Sequence, residues 1–157
     1  EANGGDWSVD SDHAYEGFFR RKFGSFRSET NESNGAVADM NYGTNWYLIR
    51  YADVILMAAE AYFRSGDETN ALANLNRVRA WANMSAISAS GSAFFDALVK
   101  ERQLELAFEG FRYLDLNRWG LAVRELGSRG FVAGKHELMP IPNDDVRIAG
   151  LTQNPGY

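Results

Sequence analysis

Three glutamates, Glu101, Glu105 and Glu109, recur every four residues in "KERQLELAFEG" and would share one face of a helix. Carboxylates arranged in this way can transfer protons in acid–base catalysis or hold a metal ion. A carboxylate metal site of this kind needs a histidine one turn away, and the segment contains none. Because Arg102 and Arg118 lie close by in the sequence, we expect salt bridges that orient one helix pair against another.

The pair Arg118–Trp119 is a second candidate for chemistry, since an arginine beside a flat ring can stack on a sugar or a base. The helical register favours a structural role instead, in which Trp119 packs and Arg118 pairs with a carboxylate. Arg50 and Asp53, three residues apart in an apolar segment, are likewise predicted to form a structural pair.

Aromatic residues in loops form the third candidate site. Trp7, Tyr15 and Tyr42 lie in or beside irregular segments, where a role in the core is less automatic. An exposed ring offers an apolar face to the C–H face of a sugar, while Asp6 or Asn41 could bond the sugar hydroxyls. We therefore predict a ligand-binding site for glycan at these five residues. The competing interpretation is that the rings only anchor their loops.

Composition narrows the remaining functional classes. The chain of 157 residues has a net charge of −5, which argues against nucleic-acid binding, and its lack of cysteine excludes disulfides and thiol catalysis. His13 and His136 lie in separate irregular segments and predict no catalytic arrangement. The acidic segment 6–16 resembles a calcium-binding loop without the proper spacing, and the glycines form no phosphate loop. We predict no cofactor and no metal.

The elements that would position these residues fall into two parts. Residues 1–45 are predicted to be irregular, with one or two short strands within 15–26 and a long loop over 27–45. Residues 46–157 are predicted to be helical, with an extended tail from about residue 131. The start at Glu1, in polar sequence, favours a fragment that continues from a missing N-terminal part.

Apolar residues at three- and four-residue steps predict four helices in this second part. The first follows Asn45 as N-cap and stops at Gly66, and the second covers 68–83 with Asp67 or Thr69 as its cap. The third covers 93–109 and the fourth 111–127. Because the connections are short, the pairs should be antiparallel, as in tetratricopeptide-like hairpins. The predicted apolar faces of the first three helices carry Trp46, Ile49, Ala52, Leu56, Ala59, Phe63, Leu72, Leu75, Val78 (or Arg79), Ala82, Phe94, Leu98, Leu104 (or Glu105) and Phe108. In the fourth helix, Leu114, Leu116, Trp119, Val123 and Leu126 are expected to be buried in some combination.

The tail "HELMPIPNDDVRIAGLTQNPGY" carries too much apolar surface to hang free in water. Pro140 and Pro142 are expected to keep the backbone extended and to exclude a helix. We predict that the tail lies along a groove on the helices, with Leu138, Ile141 and Tyr157 buried.

Four segments, "NWYLIRYADVILMAAEAYFRSGD", "LNRVRAWAN", "LVKERQLELAFEGFRYLDLNRWG" and the tail, closely resemble the C-terminal part of the SusD/RagB family. The resemblance runs from about Trp46 to Tyr157. It implies an all-α fold, a SusD-like α–α superhelix of tetratricopeptide-like hairpins with long loops, minor β structure and the tail packed on the helices. The family's conserved motifs are scaffold, which implies structural roles for Arg50, Asp53, Glu101, Arg102, Arg112, Asp115 and Arg118.

The resemblance also implies a function. Members of this family are surface lipoproteins of Bacteroidetes, anchored in the outer membrane through an N-terminal lipid that this chain lacks. They bind oligosaccharides or other nutrients without catalysis and pass them to a SusC-like TonB-dependent transporter. The alternative is a helical-repeat scaffold that contacts the transporter without binding glycan. An enzyme such as a glycosidase is disfavoured, because its two carboxyl groups would have to face each other across a cleft. Glu101, Glu105 and Glu109 are instead expected to share one face of a helix.

Overall fold

The computed structural model describes Lys22 and residues 47–157, and these residues contain helices and no strand. The chain divides into two compact units, Glu1–Val54 and Ile55–Tyr157. No helix in the described part of the chain is long and apolar enough to cross a membrane. The described helices are α1 (Tyr51–Arg64), α2 (Glu68–Trp81), α3 (Gly91–Glu105), α4 (Phe111–Arg118), α5 (Ala122–Leu126), a short 3-10 helix (Gly127–Arg129) and α6 (Asn143–Ala149).

The hydrophobic core is built where α1, α2 and α3 meet. Leu56, Leu75, Phe94 and Leu98 are completely buried in it. Burying one such side chain stabilises the fold by about 1.5–3 kcal/mol. The ring of Phe63 packs on that of Phe94 with 5.0 Å between the centroids. The predicted helical stripes are thus confirmed at their central positions, and they hold the three helices together.

The turn between α1 and α2 follows the predicted chemistry. Gly66 adopts a left-handed backbone (φ +88°), and the Asp67 N–H donates back to the Tyr62 carbonyl at 2.9 Å, which ends α1. The Asp67 carboxylate accepts a hydrogen bond from the Asn70 backbone N–H at 3.0 Å, so Asp67 is the N-cap of α2. The side-chain and backbone hydrogen bonds from Asn70 lower the pKa of the Asp67 carboxyl.

The connector between α2 and α3 is fixed by one amide side chain. Asn76 accepts the Ile87 N–H at 2.8 Å and donates to the Ile87 carbonyl at 2.9 Å. These two bonds satisfy the backbone N–H and carbonyl of Ile87, as a neighbouring strand would in a sheet. They hold the connector so that Ile87 packs against the core.

Helix ends depart from the sequence expectation in two places. The first helix begins at Tyr51, and Ile49, expected in the core, is 67% exposed. The third ends at Glu105, where the bonds tighten to three-residue steps and Phe108 takes a left-handed backbone (φ +65°). Phe108 is therefore 69% exposed, and its predicted place in register on the apolar face of this helix is wrong. Leu104 is also exposed.

The predicted fourth helix is two helices. Gly120 adopts φ +70°, and the Leu121 N–H donates to the Leu116 carbonyl at 2.8 Å, a bond that closes the end of α4. The chain turns there, which leaves Leu114 and Val123 exposed while Leu116 stays buried. Of the five positions expected to be buried in some combination, Leu114 and Val123 are therefore the exposed ones, because the periodicity of one continuous helix does not run through a left-handed glycine.

The tail differs most from its prediction. It contains the helix α6, which begins directly after Pro142, since proline restricts the residue before it and leaves the next residue free to be helical. Leu138 and Tyr157 are 53% and 44% exposed, and Ile141 is half-buried. The predicted burial is wrong for Leu138 and Tyr157, and Ile141 is buried only in part.

Polar bonds hold the tail in place of apolar burial. Gln153 accepts the Ile141 N–H at 2.8 Å and donates to the Ile141 carbonyl at 2.7 Å. Asn154 donates to the Met139 carbonyl at 2.6 Å, and the Tyr157 hydroxyl donates to the Leu138 carbonyl at 3.1 Å. These hydrogen bonds join the last residues of the chain to residues 138–141, which precede α6 in the sequence.

Candidate functional site

Glu60, at the buried side of α1, accepts hydrogen bonds from three side chains. Arg118 donates to both carboxylate oxygens, at 2.8 and 2.6 Å. The Trp119 indole donates at 2.9 Å and Arg64 at 2.8 Å. The Glu60 side chain is only 7% exposed. These bonds fasten α1 to the end of α4.

The pKa of Glu60 shows which state this arrangement favours. Burial alone would raise the pKa, but the hydrogen bonds from Arg118, Trp119 and Arg64 outweigh it and lower the pKa from 4.5 to about 2. For Arg118, burial lowers the pKa, and the bonds to Glu60 and Asp115 reverse this and raise it. Both groups therefore stay charged at neutral pH, which suits a structural ion pair and not a general acid.

The network continues from Arg118 into the protein. Arg118 donates to Asp115 at 2.9 Å, and Asp115 accepts from Arg102 of α3 at 2.8 Å. The Arg102 and Asp115 side chains are 4% and 6% exposed. The prediction that Arg118 pairs with a carboxylate is confirmed. The network ties α1, α3 and α4 together through charged groups.

Trp119 is also structural. Its ring meets that of Phe95 edge to face with 5.6 Å between centroids, and the Arg118 guanidinium lies 4.5 Å over the indole. With its indole N–H bound to Glu60, Trp119 is fully engaged within the protein. The predicted packing of Trp119 is confirmed.

The three glutamates do not form one carboxylate face. Glu101 is buried and pairs with Arg79 of α2 at 2.8 Å. Glu105 is the last residue of α3, and Glu109 lies beyond the end of the helix, so the four-residue spacing stops describing its position. Among the described residues there is no group of three histidine, aspartate or glutamate side chains that could hold a metal ion. A structural role of Glu101 agrees with the expected salt bridge between helix pairs.

A shallow, open pocket of about 380 Å³ lies between α4 and the tail. We call it the tail pocket. Aromatic rings surround it: the centroids of Tyr113 and Phe131 are 6.5 Å apart, those of Phe131 and His136 5.7 Å, and those of His136 and Tyr157 6.5 Å. Its lining residues are Tyr113, Leu126, Arg129, Gly130, Phe131, His136, Met139 and Tyr157.

Sequence reasoning missed the tail pocket. It treated His136 as a surface residue and Tyr157 as an anchor, because nothing local indicates that rings 21 positions apart, at 136 and 157, come together. The available signal was the concentration of Phe131, His136 and Tyr157 in a segment predicted to be irregular. The predicted ligand-binding residues, Trp7, Tyr15, Tyr42, Asp6 and Asn41, lie outside the described residues, as do the predicted strands within 15–26, the loop over 27–45, His13, Asn45 and Trp46.

These features define a class of protein: helices packed around a common core, cross-linked by buried ion pairs, with an irregular C-terminal segment that forms an aromatic pocket. The sequence profile of the SusD family matches residues 1–130. The chain therefore belongs to the SusD family. The match includes the N-terminal segment, which the four resembling segments did not cover, and it ends before most of the tail.

Individual relatives agree with this assignment. The chain is 35% identical over 132 residues to SusD-like protein P2 of Formosa agariphila, an alignment that covers 73% of this chain and 26% of that protein. It is similar to a solved structure described as a laminarin-binding SusD-like protein, with 43% identity and a TM-score of 0.69 over 77% of this chain and 25% of the other. A SusD superfamily protein from Bacteroides vulgatus gives 32% identity and a TM-score of 0.65, over 70% of this chain and 27% of the other. The chain spans about a quarter of the length of these relatives.

Proposed function

We propose that this chain belongs to a non-catalytic surface protein that binds nutrients, with oligo- or polysaccharides as ligands, for delivery to a SusC-like TonB-dependent transporter. The observation that carries the proposal is family membership, together with the 43% identity to a structure whose description names laminarin as its ligand. The protein acts on the outer face of the outer membrane, held there by a lipid anchor on the longer protein.

The chemistry of three buried carboxylates supports a binding role. Glu60, Glu101 and Asp115 are each buried and paired with an arginine. A glycosidase needs two carboxyl groups on either side of the scissile bond, one of them able to donate a proton. Carboxylates held in ion pairs do not supply that proton.

The proposed glycan site includes the loop residues of the first unit. Trp7, Tyr15 and Tyr42 would stack on sugar rings, and Asp6 or Asn41 would bond the hydroxyls. Stacking suits this task because a pyranose presents an apolar C–H face, whereas its hydroxyls need directed hydrogen bonds. No metal or cofactor takes part in this proposal.

The second candidate function is a scaffold that contacts the transporter without touching glycan. It is favoured by exposed apolar side chains around the turn between α3 and α4, where Leu104, Phe108 and Leu114 are 58%, 69% and 61% exposed. Large exposed apolar groups of this kind suit a protein contact. In that case glycan binding would depend on other parts of the longer protein.

Glycan binding by the complete protein that contains this chain distinguishes the two. Affinity electrophoresis in gels containing laminarin or other polysaccharides would compare the wild type with Trp7→Ala and Tyr42→Ala. The matched controls are Trp81→Ala and Tyr62→Ala, exposed aromatic residues on α2 and α1. The proposal expects retardation that Trp7→Ala or Tyr42→Ala weakens and that the controls preserve.

Two other results point elsewhere. Unchanged binding in the Trp7 and Tyr42 variants would assign these residues to loop anchoring and favour the scaffold function. Retardation by none of the polysaccharides would contradict glycan binding itself.

A further inference from the structure

The tail pocket has walls that are fixed before any ligand arrives. The Tyr113 hydroxyl donates to the His136 carbonyl, and the Tyr157 hydroxyl donates to the Leu138 carbonyl. Both phenols are thus used to hold backbone, and their rings remain as apolar surface. A preformed wall lowers the entropy that a ligand loses on binding.

One hydrogen bond from the backbone determines which nitrogen of the neutral His136 ring is the donor. Its Nδ1 atom accepts the Val132 backbone N–H at 2.9 Å, so the neutral ring carries its proton on Nε2. The ring therefore offers one N–H donor at a pocket whose other walls are largely aromatic. A hydroxyl-bearing ligand fits such a combination.

The charge of the tail pocket is positive. Arg129 lines it, and the Arg129 side chain makes no ion pair or hydrogen bond in the part of the chain that the structure describes. The lining residues include no aspartate and no glutamate. Lys135 adds a second cation at the edge, with its ammonium 4.6 Å over the Tyr157 ring.

From these observations we propose that the tail pocket binds a carboxylate-bearing sugar, a uronic acid unit of an acidic oligosaccharide. The rings of Phe131 and Tyr157 contact the apolar face of the sugar, and the guanidinium of Arg129 pairs with its carboxylate. The proposal rests on the proposed glycan-binding function and specifies for one site the kind of sugar that it takes. The residues that line the tail pocket are different from the loop residues Trp7, Tyr15 and Tyr42 of the proposed function.

A carboxylate suits this pocket better than a neutral sugar does. Arginine carries donors in a planar fork that matches a carboxylate with two parallel hydrogen bonds. A neutral ring would leave the guanidinium of Arg129 without a counter-charge. The volume of about 380 Å³ lies within the range of small-ligand sites, about 300–1,000 Å³.

The test compares two probes with the same sugar rings, one with free carboxylates and one in which methyl esters remove the charge. Isothermal titration of the complete protein would use trigalacturonate and its fully methyl-esterified form, with laminarin as a neutral reference glycan. The variants are Arg129→Ala, Arg129→Lys and the control Arg147→Ala, which removes an exposed arginine of α6 outside the pocket. Because a hydrogen-bonded charge contributes about 1.5–3 kcal/mol, Arg129→Ala should weaken trigalacturonate binding about 10-fold or more.

The expected pattern is specific. Trigalacturonate binds more tightly than its ester, Arg129→Lys falls between wild type and Arg129→Ala, and Arg147→Ala and laminarin binding are unchanged. Laminarin binding without trigalacturonate binding, or trigalacturonate binding that is equal in the ester and in Arg129→Ala, overturns the uronate site and leaves the proposed function standing. Absence of binding to all three glycans overturns both.

Discussion

Different interactions stabilise the helical body, residues 55–119, and the tail, residues 131–157. In the body, side chains such as Leu56, Leu75 and Phe94 are completely buried, and the ion pair of Arg102 with Asp115 is buried with them. In the tail, large apolar side chains stay exposed, and bonds from Gln153, Asn154 and Tyr157 to backbone fix its path.

This difference separates stability from recognition. Apolar burial and buried charge pairs make a body whose geometry is costly to change. The hydrogen bonds of the tail, which are exposed or only partly buried, each contribute less free energy, but they hold aromatic rings such as that of Tyr157 at the surface. The tail pocket lies where the two meet, since Tyr113 comes from α4 and Tyr157 from the last residue of the chain.

The largest effect is expected from the buried ion pair. Arg102→Met leaves Asp115 buried with fewer hydrogen bonds, and removing one partner of such a pair costs about 3–5 kcal/mol. The midpoint of urea unfolding measures this loss. Arg147→Ala breaks an exposed pair in α6 and should change stability by less than about 0.5 kcal/mol. Equal effects of the two substitutions would contradict the distinction between body and tail.

A matched pair of leucines tests the same comparison without charge. Leu98→Ala removes a fully buried side chain and should cost about 2–5 kcal/mol in the free energy of unfolding. Leu138→Ala acts on a side chain that is 53% exposed, so its cost should be well below that of Leu98→Ala. Thermal unfolding of both variants measures the difference. A cost for Leu138→Ala as large as that for Leu98→Ala would mean that the tail is part of the core.

The pKa of Glu60 predicts a dependence on pH. Because folding lowers this pKa from 4.5 to about 2, the unfolded chain binds the proton more readily. The stabilisation by Glu60 is therefore complete above about pH 4.5 and is lost as the pH falls towards 2. Glu60→Gln should lose about 1.5–3 kcal/mol at pH 7 and less at pH 3.

Urea unfolding at pH 7, 4 and 3 measures this effect as a difference between wild type and Glu60→Gln. The control is Glu137→Gln, which changes an exposed carboxyl of the tail. A gap between wild type and Glu60→Gln that stays constant across these pH values would show that the carboxylate charge is not the source of the stabilisation.

The smallest effect is expected in the tail. Gln153→Ala removes both bonds to Ile141 and should cost about 1 kcal/mol, most of it local. Hydrogen exchange at the Ile141 amide should become faster, while exchange at the Leu98 amide stays the same. Thr152→Ala, next to Gln153, serves as the control. Acceleration at both amides would mean that the tail and the body unfold together.

Much of the body could be predicted from the sequence. The stripes through Leu56, Leu75 and Phe94 and the cap at Asp67 depend on residues within a few positions of one another, and these predictions are confirmed. The pairing of Arg118 could be predicted as a type of contact. Its partner Glu60, 58 positions away, could not, because periodicity carries no information about which helices meet.

The family was indicated by the resemblance of four segments of the sequence. The helical class of the fold was determined by the sequence because local patterns of apolar residues, caps and glycines specify helices and turns. Only the tertiary structure determined the helix boundaries and the side-chain contacts of residues 110–157. Gly120 splits a helix, α6 follows Pro142, and His136 meets Tyr157 through contacts between distant segments. The burial of a residue depends on the side chains that pack against it, and these come from segments distant in the sequence.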